Sequence, residues 1–242
     1  ELIIVYSKST DGTEQFLNKN KNKIDKVIFD KKSLNKYGSI NLGIKNATGN
    51  IIGILHADDF FTNKNILTKI ANAHEEKKNI DITYGNVLFC KRNNINKIAR
   101  YWKSTKYQKN LINLGWMPPH TTLFIKKKIY EKLNYSSKYD ISADYEFIIK
   151  LFSKNINIKY LDLNIVVMRL GGISTSIKTL LNKTYQDIQV LKSFKKNYFK
   201  VIPYKILSKV NQLFIGKTKF LNLKTAKGDK LKIYPKIIKK LK

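Results

Sequence analysis

Short apolar runs alternate with amphipathic stretches along the first two thirds of the chain. Glu1-Leu-Ile-Ile-Val-Tyr6 reads as a buried strand that ends in the polar turn Ser7 to Thr13. Asp11 or Thr13 can cap a helix near Glu14 to Lys21. Lys26-Val-Ile-Phe29 predicts a second strand, Ser33 to Gly38 a loop, and Ser39 to Ala47 a helix closed by Gly49. Ile51-Ile-Gly-Ile-Leu55 is apolar on both faces, as central parallel strands are, and runs straight into His56-Ala57-Asp58-Asp59. Ile66 to Glu76 has helical spacing. Ile80 to Phe89 reads as a strand, Lys91 to Lys97 as a polar hairpin, and Ile98 to Trp102 follows as strand. Leu111 to His120 reads as a loop, Thr121 to Ile125 as a strand, and Lys126 to Leu133 as a short helix. Ser142 to Lys154 is an amphipathic helix with Tyr145, Ile148, Ile149 and Phe152 on one face. Ile158 to Asp162 and Ile165 to Arg169 are strands ahead of the Gly171-Gly172 turn. This alternation predicts an α/β fold with a mostly parallel, Rossmann-like sheet flanked by helices.

From about Ile177 the pattern changes to long helical stretches running to Lys200, and Pro203 predicts a break. Val201 to Lys242 holds twelve lysines and one acid, Asp229, interleaved with apolar residues. The expected organisation is therefore a domain over 1–176 and a basic, mainly helical C-terminal extension over 177–242.

A chain of 242 residues with 43% hydrophobic positions can build a sizeable core. Its net charge of +30 marks a basic protein. That charge implies attraction to a polyanion: nucleic acid, an anionic membrane face or a phosphorylated substrate. Only Arg92, Arg100 and Arg169 are arginines among the 47 basic residues. Sequence-specific DNA readers favour arginine for bidentate contacts, so this balance argues against them. A Lys/Asn/Ile excess is also what an AT-rich genome writes. Cys90 is the only cysteine, so no disulfide can form within the chain, which suits a reducing compartment. No run of about 18 apolar residues occurs, and no signal peptide is visible.

Asp58 and Asp59 sit where a buried strand meets a loop, the usual ligand edge of an open α/β sheet. Adjacent carboxylates there can hold Mg²⁺ or Mn²⁺, or one can simply cap a helix. Asp144 and Glu146 lie two apart at a helix start, so at most one points into a site. His120 suits a diphosphate, metal or acceptor contact, or a hydrogen-bonded loop role. Trp116 can stack on a sugar or pack at the rim of the core, and Gly172 permits a tight turn that can touch an acceptor.

Four segments, taken in order, resemble the family-2 glycosyltransferases. The first is Ile4-Val-Tyr6-Ser-Lys-Ser9-Thr-Asp11-Gly12-Thr13. The second runs from Asn41-Leu-Gly43 through Ala47-Thr48-Gly49 to Asp58-Asp59. The third is Pro119-His120-Thr-Thr-Leu-Phe124 with Ser142-Ala-Asp144-Tyr-Glu146, and the fourth is Gly171-Gly172-Ile-Ser174. Together they cover about Glu1 to Ser176. The resemblance implies a GT-A fold and a nucleotide-sugar donor, with UDP-sugar favoured. Ser9, Asp11 and Asp58 would bind that donor, Asp59 would ligate Mn²⁺ or Mg²⁺, and Asp144 would be the base of an inverting transfer. The implied acceptor is a glycan or lipid-linked sugar of cell-surface polysaccharide synthesis, handled in the cytoplasm or at the inner membrane face. The sequence departs from the family in two ways. The family's first strand and helix do not precede Glu1, which predicts a missing central strand and an open sheet edge. Tyr6 also stands where the family carries Asp. Two other readings stay open: an inactive remnant of the fold, and a basic nucleic-acid-binding protein.

Overall fold

The computed structural model describes residues 1–32, 34–77, 79–171 and 177–223, the side chains of 177, 178, 210, 211 and 213–223 excepted. Two sheets form. β1 (Ile3–Tyr6) and β2 (Lys26–Phe29) pair in parallel through four residues each, with α1 (Thr13–Lys19) crossing between them. The chain then forms α2 (Lys36–Asn46), β3 (Ile51–Gly53), β4 (Phe60–Phe61) and α3 (Ile66–Glu75). β5 (Ile82–Lys91) and β6 (Asn94–Trp102) make a hairpin. β7 (Phe124–Lys126), α4 (Lys127–Tyr130), α5 (Ala143–Phe152) and β8 (Ile158–Arg169) follow. The six-stranded sheet has the order β3-β7-β5-β8-β4, and β6 joins the far half of β5.

The alternation of elements holds, and the α/β class with it. The sheet itself is mixed. β1–β2 and β5–β8 are parallel, while β3–β7, β4–β8, β5–β6 and β5–β7 are antiparallel. Hairpin and return connections supply these antiparallel neighbours, which periodicity alone does not distinguish. Among the described residues β1 pairs only with β2 and β3 only with β7, so each keeps one open edge.

The core is centred on β5, whose residues Ile82 to Cys90 are all buried. This is the burial of a strand covered on both faces. Gly85 is required there: a Cβ would come within 2.7 Å of the Leu163 carbonyl oxygen on β8. The main cluster joins Tyr37 and Ile44 of α2 to Tyr84, Ile125, Phe147, Ile148 and Leu151. It also includes Val190 and Leu191 of α6 (Ile177–Ser193) and Val201 of α7 (Tyr198–Leu223). The basic C-terminal helices are thus packed into the same core as the α/β elements, as far as they are described.

Several boundaries differ from expectation for local reasons. α2 starts at Lys36 rather than Ser39 because Asn35 caps it, its side chain accepting from the Gly38 amide at 2.9 Å. Thr121 to Ile125 is not one strand. His120–Thr122 coil into a 3-10 turn, where the Thr122 hydroxyl donates to the Pro119 carbonyl at 2.8 Å. The two expected strands at 158–169 are one, continuous beside β5 with an irregularity opposite Asn86. Pro203 does not break the helix that contains it. The carbonyl that its ring crowds belongs to the first turn of α7, and the chain reversal lies earlier, at left-handed Lys195 (φ 52°).

Candidate active site

β3 delivers the chain into the turn that carries His56, Asp58 and Asp59. The Asp59 amide closes that turn by donating to the His56 carbonyl at 2.9 Å. Asp58 is half exposed, and one of its carboxylate oxygens accepts from both terminal nitrogens of Arg92, at 3.2 and 3.1 Å. Asp59 differs. Its Oδ2 is buried with no hydrogen-bond partner. Burial, reinforced by the charge of Asp58, pushes its pKa up to about 7 against a smaller opposing pull from Arg169. An orphaned buried carboxylate oxygen beside a second carboxylate suits a hard divalent cation, which needs one or two such oxygens plus phosphate and water. Among the described residues no three His, Cys, Asp or Glu side chains gather, so substrate and water would complete the shell.

The second centre stands on α5. Asp144 lies in its first turn, where the helix dipole favours a carboxylate. Its Oδ1 accepts from the Tyr145 amide at 2.8 Å, and its Oδ2 faces His120 Nδ1 at 3.4 Å. Burial raises its pKa, but Lys183, His120 and Lys36 outweigh burial and hold the group at about 2. Glu146, by contrast, is buried against Lys150 at 2.8 Å, one turn along the same helix.

A histidine pair bridges the two centres. His56 Nε2 lies 2.9 Å from His120 Nε2. Burial, His120 and Lys36 lower the His56 pKa to about 3, and burial lowers that of His120 as well. Both shifts favour the neutral imidazole. A tautomer with the proton on His120 Nδ1, 3.4 Å from Asp144, would leave His120 Nε2 to accept from His56 Nε2–H. The site thus runs from Asp59 through its turn to His56, then His120, then Asp144.

Not every candidate joins this line. The hydrogen bonds of Ser9 and Asp11 run within their own loop. Asp11 Oδ1 accepts from the Ser9 hydroxyl at 2.5 Å, the Thr13 amide at 3.0 Å and the Thr13 hydroxyl at 2.5 Å. These bonds, that of Ser9 first, lower the exposed Asp11 to about 2. Trp116 packs among Tyr84, Tyr107 and Phe152, and its indole N–H donates to the Thr105 hydroxyl at 3.0 Å. Gly172 lies outside the described residues. Tyr6 packs on Phe29, ring centroids 5.2 Å apart. A cavity of about 800 Å³ opens between Thr48–Ile51 and Lys126–Lys128, at the opposite end of β3 from the carboxylates. Sequence reasoning gave no role to His56, Arg92, Arg169 or Lys183. The scarcity of His and Arg in this chain was the available signal for the first three. Lys183 had none, being one of many lysines.

Residues 1–161 match the family model described as Glycosyl transferase family 2. An uncharacterised glycosyltransferase of Methanocaldococcus jannaschii is 25% identical over 202 residues, covering 81% of this chain and 69% of that protein. The Staphylococcus aureus TarS fragment, solved in complex with UDP-GlcNAc, superposes with a TM-score of 0.56 at 17% identity, over 79% of this chain and 57% of that one. A mannosyltransferase of Pyrobaculum calidifontis, solved with GDP-Man and Mn²⁺, gives a TM-score of 0.56 at 13% identity, over 94% and 67%. The two solved structures establish the GT-A fold. This chain spans little more than half the length of the TarS fragment.

Proposed function

This chain belongs to glycosyl transferase family 2, and we propose that it moves a sugar from a nucleotide sugar, UDP-linked by preference, to a glycan or lipid-linked acceptor, with inversion and with a divalent cation. The observation that carries this reading is the continuous line from the Asp58-Asp59 turn through the histidine pair to Asp144. The nucleotide sugars bound to the two solved neighbours, and the Mn²⁺ of one, support the donor class.

In this mechanism the acceptor hydroxyl attacks the anomeric carbon from the face opposite the diphosphate. The new C–O bond forms as the bond to the phosphate oxygen breaks, and its electron pair leaves with the nucleoside diphosphate. Asp144, ionised at neutral pH, takes the hydroxyl proton, a general-base role worth typically about 10²–10⁴-fold. His120, whose Nδ1 lies 3.4 Å from Asp144, would orient the carboxylate, and His56 would orient His120. Asp59, with Asp58 beside it, would hold the cation, whose charge would offset that developing on the leaving diphosphate. Arg92 and Arg169 flank these carboxylates and can meet phosphate oxygens. Ser9 and Asp11 would meet the nucleoside once their loop opens toward it.

The setting we assign is cell-surface polysaccharide synthesis at the inner membrane face, and it rests on the lysine-rich C-terminal segment. No helix among the described residues is long and apolar enough to cross a membrane. The remnant reading is favoured by Tyr6, which packs at a tilt against Phe29 and offers no carboxylate. Calorimetry with UDP and Mn²⁺ separates the two. The enzyme reading predicts metal-dependent heat of binding that Asp59→Ala removes; an absence of heat from the native chain supports the remnant.

A further inference from the structure

We propose that Lys36 and Lys183, backed by Lys205 and Lys209, form a binding site for a phosphate group of the acceptor, beside Asp144. The inference rests on the glycosyltransferase reading and names the class of acceptor it would use.

Three elements converge on the start of α5 to build this site. From α2, the Tyr37 hydroxyl donates to the Ile141 carbonyl at 2.8 Å, and Lys36 lies over the Tyr37 ring at 4.3 Å. From α6, Asp187 accepts from the Ser142 hydroxyl at 2.7 Å and from Lys183 at 3.4 Å. From α7, Lys205 donates to the other oxygen of Asp187 at 2.7 Å and lies 3.3 Å from the centre of the Tyr145 ring. Each of Lys36, Lys183, Lys205 and Lys209 interacts electrostatically with Asp144. The neighbourhood therefore holds more ammonium groups than carboxylates, the latter being Asp144 and Asp187.

Such an excess of positive charge attracts an anion. A phosphate monoester carries about −1.5 to −2 charges at pH 7, which suits that excess. Lysine binds phosphate as a point charge, so no bidentate geometry is required. The accessible members are Lys36, exposed at the start of α2, and the partly exposed Lys183; Lys205 is buried and holds the framework.

The donor's own diphosphate is the competing occupant. Charge grouping speaks against it. The charges acting on Asp59 are those of Asp58 and Arg169, whereas the lysines act on Asp144 and Asp187. Arginines thus attend the metal carboxylates and lysines attend the base. A phosphate bound at the lysines would also cancel part of their pull on Asp144 and make it a stronger base once the acceptor is seated.

The test is calorimetric titration of inorganic phosphate into the full chain, alone and saturated with UDP and Mg²⁺. Native protein should bind phosphate in both states. Lys36→Gln should weaken that binding about fivefold and Lys36→Gln/Lys183→Gln by about tenfold or more, while UDP affinity changes less than about twofold. Lys36 is exposed, so its single variant remains informative if the double variant fails to fold. The proposal is overturned by native protein that gives no phosphate heat, by variants that bind phosphate as well as native, or by phosphate that UDP displaces. It is also overturned by a parallel loss of UDP affinity, which would assign the lysines to the donor. A chain that binds phosphate through these lysines but never binds UDP would sink the glycosyltransferase reading and leave the phosphate site standing.

Discussion

β1 and β2 share one four-residue ladder; Val27 and Phe29 on β2 are 40% and 44% exposed, and Leu2, just ahead of β1, is 49% exposed. β5 is buried at nine successive positions and paired along both edges, and α5 beside it buries eight of its ten residues. The nucleoside end proposed for the site falls in the region with an open edge and loop-bound side chains. The proposed base, Asp144, stands on this closely packed helix. Positioning a proton acceptor demands a fixed carboxylate, and rigid packing supplies it. A donor that must enter and leave needs less of this rigidity.

This contrast can be broken at several points. The largest effect is expected at Asp187. Asp187→Asn would leave Lys183 and Lys205 without their carboxylate, at a cost of roughly 3–5 kcal/mol in denaturant unfolding. Removing the exposed Asp25, which accepts from the Leu2 amide, should cost below about 0.5 kcal/mol. Comparable losses from the two would erase the distinction.

Next comes Phe147, fully buried and stacked on Tyr130 and Tyr135. Phe147→Ala should cost on the order of 3 kcal/mol, against less than about 1 kcal/mol for Phe29→Ala on β2. Acid gives a smaller, graded test. Asp144 and Asp187 have pKa values held below the unfolded carboxylate value, Asp144 at about 2. Their contribution is complete above about pH 4; that of Asp144 is lost as pH falls through about 2, and that of Asp187 is likewise lost on acidification. Tryptophan fluorescence from Trp116, which packs on Phe152 of α5, should hold to about pH 4 and change below it. A transition centred near pH 6 would contradict the assignment. The smallest effect is in hydrogen exchange. Amides of β1 and β2 should exchange well before those of β5 and β8, and equal protection would mean that the open edge is covered in solution.

The alternation of apolar and amphipathic segments was enough to read the α/β class and the helix carrying Asp144. These rest on local periodicity. The strand leading to Asp58-Asp59, read as a central parallel strand, is instead a three-residue antiparallel edge strand, Ile51–Gly53. The antiparallel share of the sheet was not legible, because hydrophobic runs do not encode strand direction. Nor were the histidine bridge and the lysine cluster. His56 and His120 are 64 positions apart, and Ser142 meets Asp187 across 45. Such contacts exist only once the chain has folded. Pro203 misled because its effect depends on how near it lies to a helix start, which composition does not show.

The central claim is tested most directly by release of nucleoside diphosphate from UDP-GlcNAc and GDP-mannose in the presence and absence of Mn²⁺. The measurement compares the native chain with Asp144→Asn and Asp59→Ala. The account predicts Mn²⁺-dependent release from one of the donors, falling about 10²–10⁴-fold in Asp144→Asn and abolished in Asp59→Ala. Release that is independent of metal, or equal in all three proteins, would contradict it.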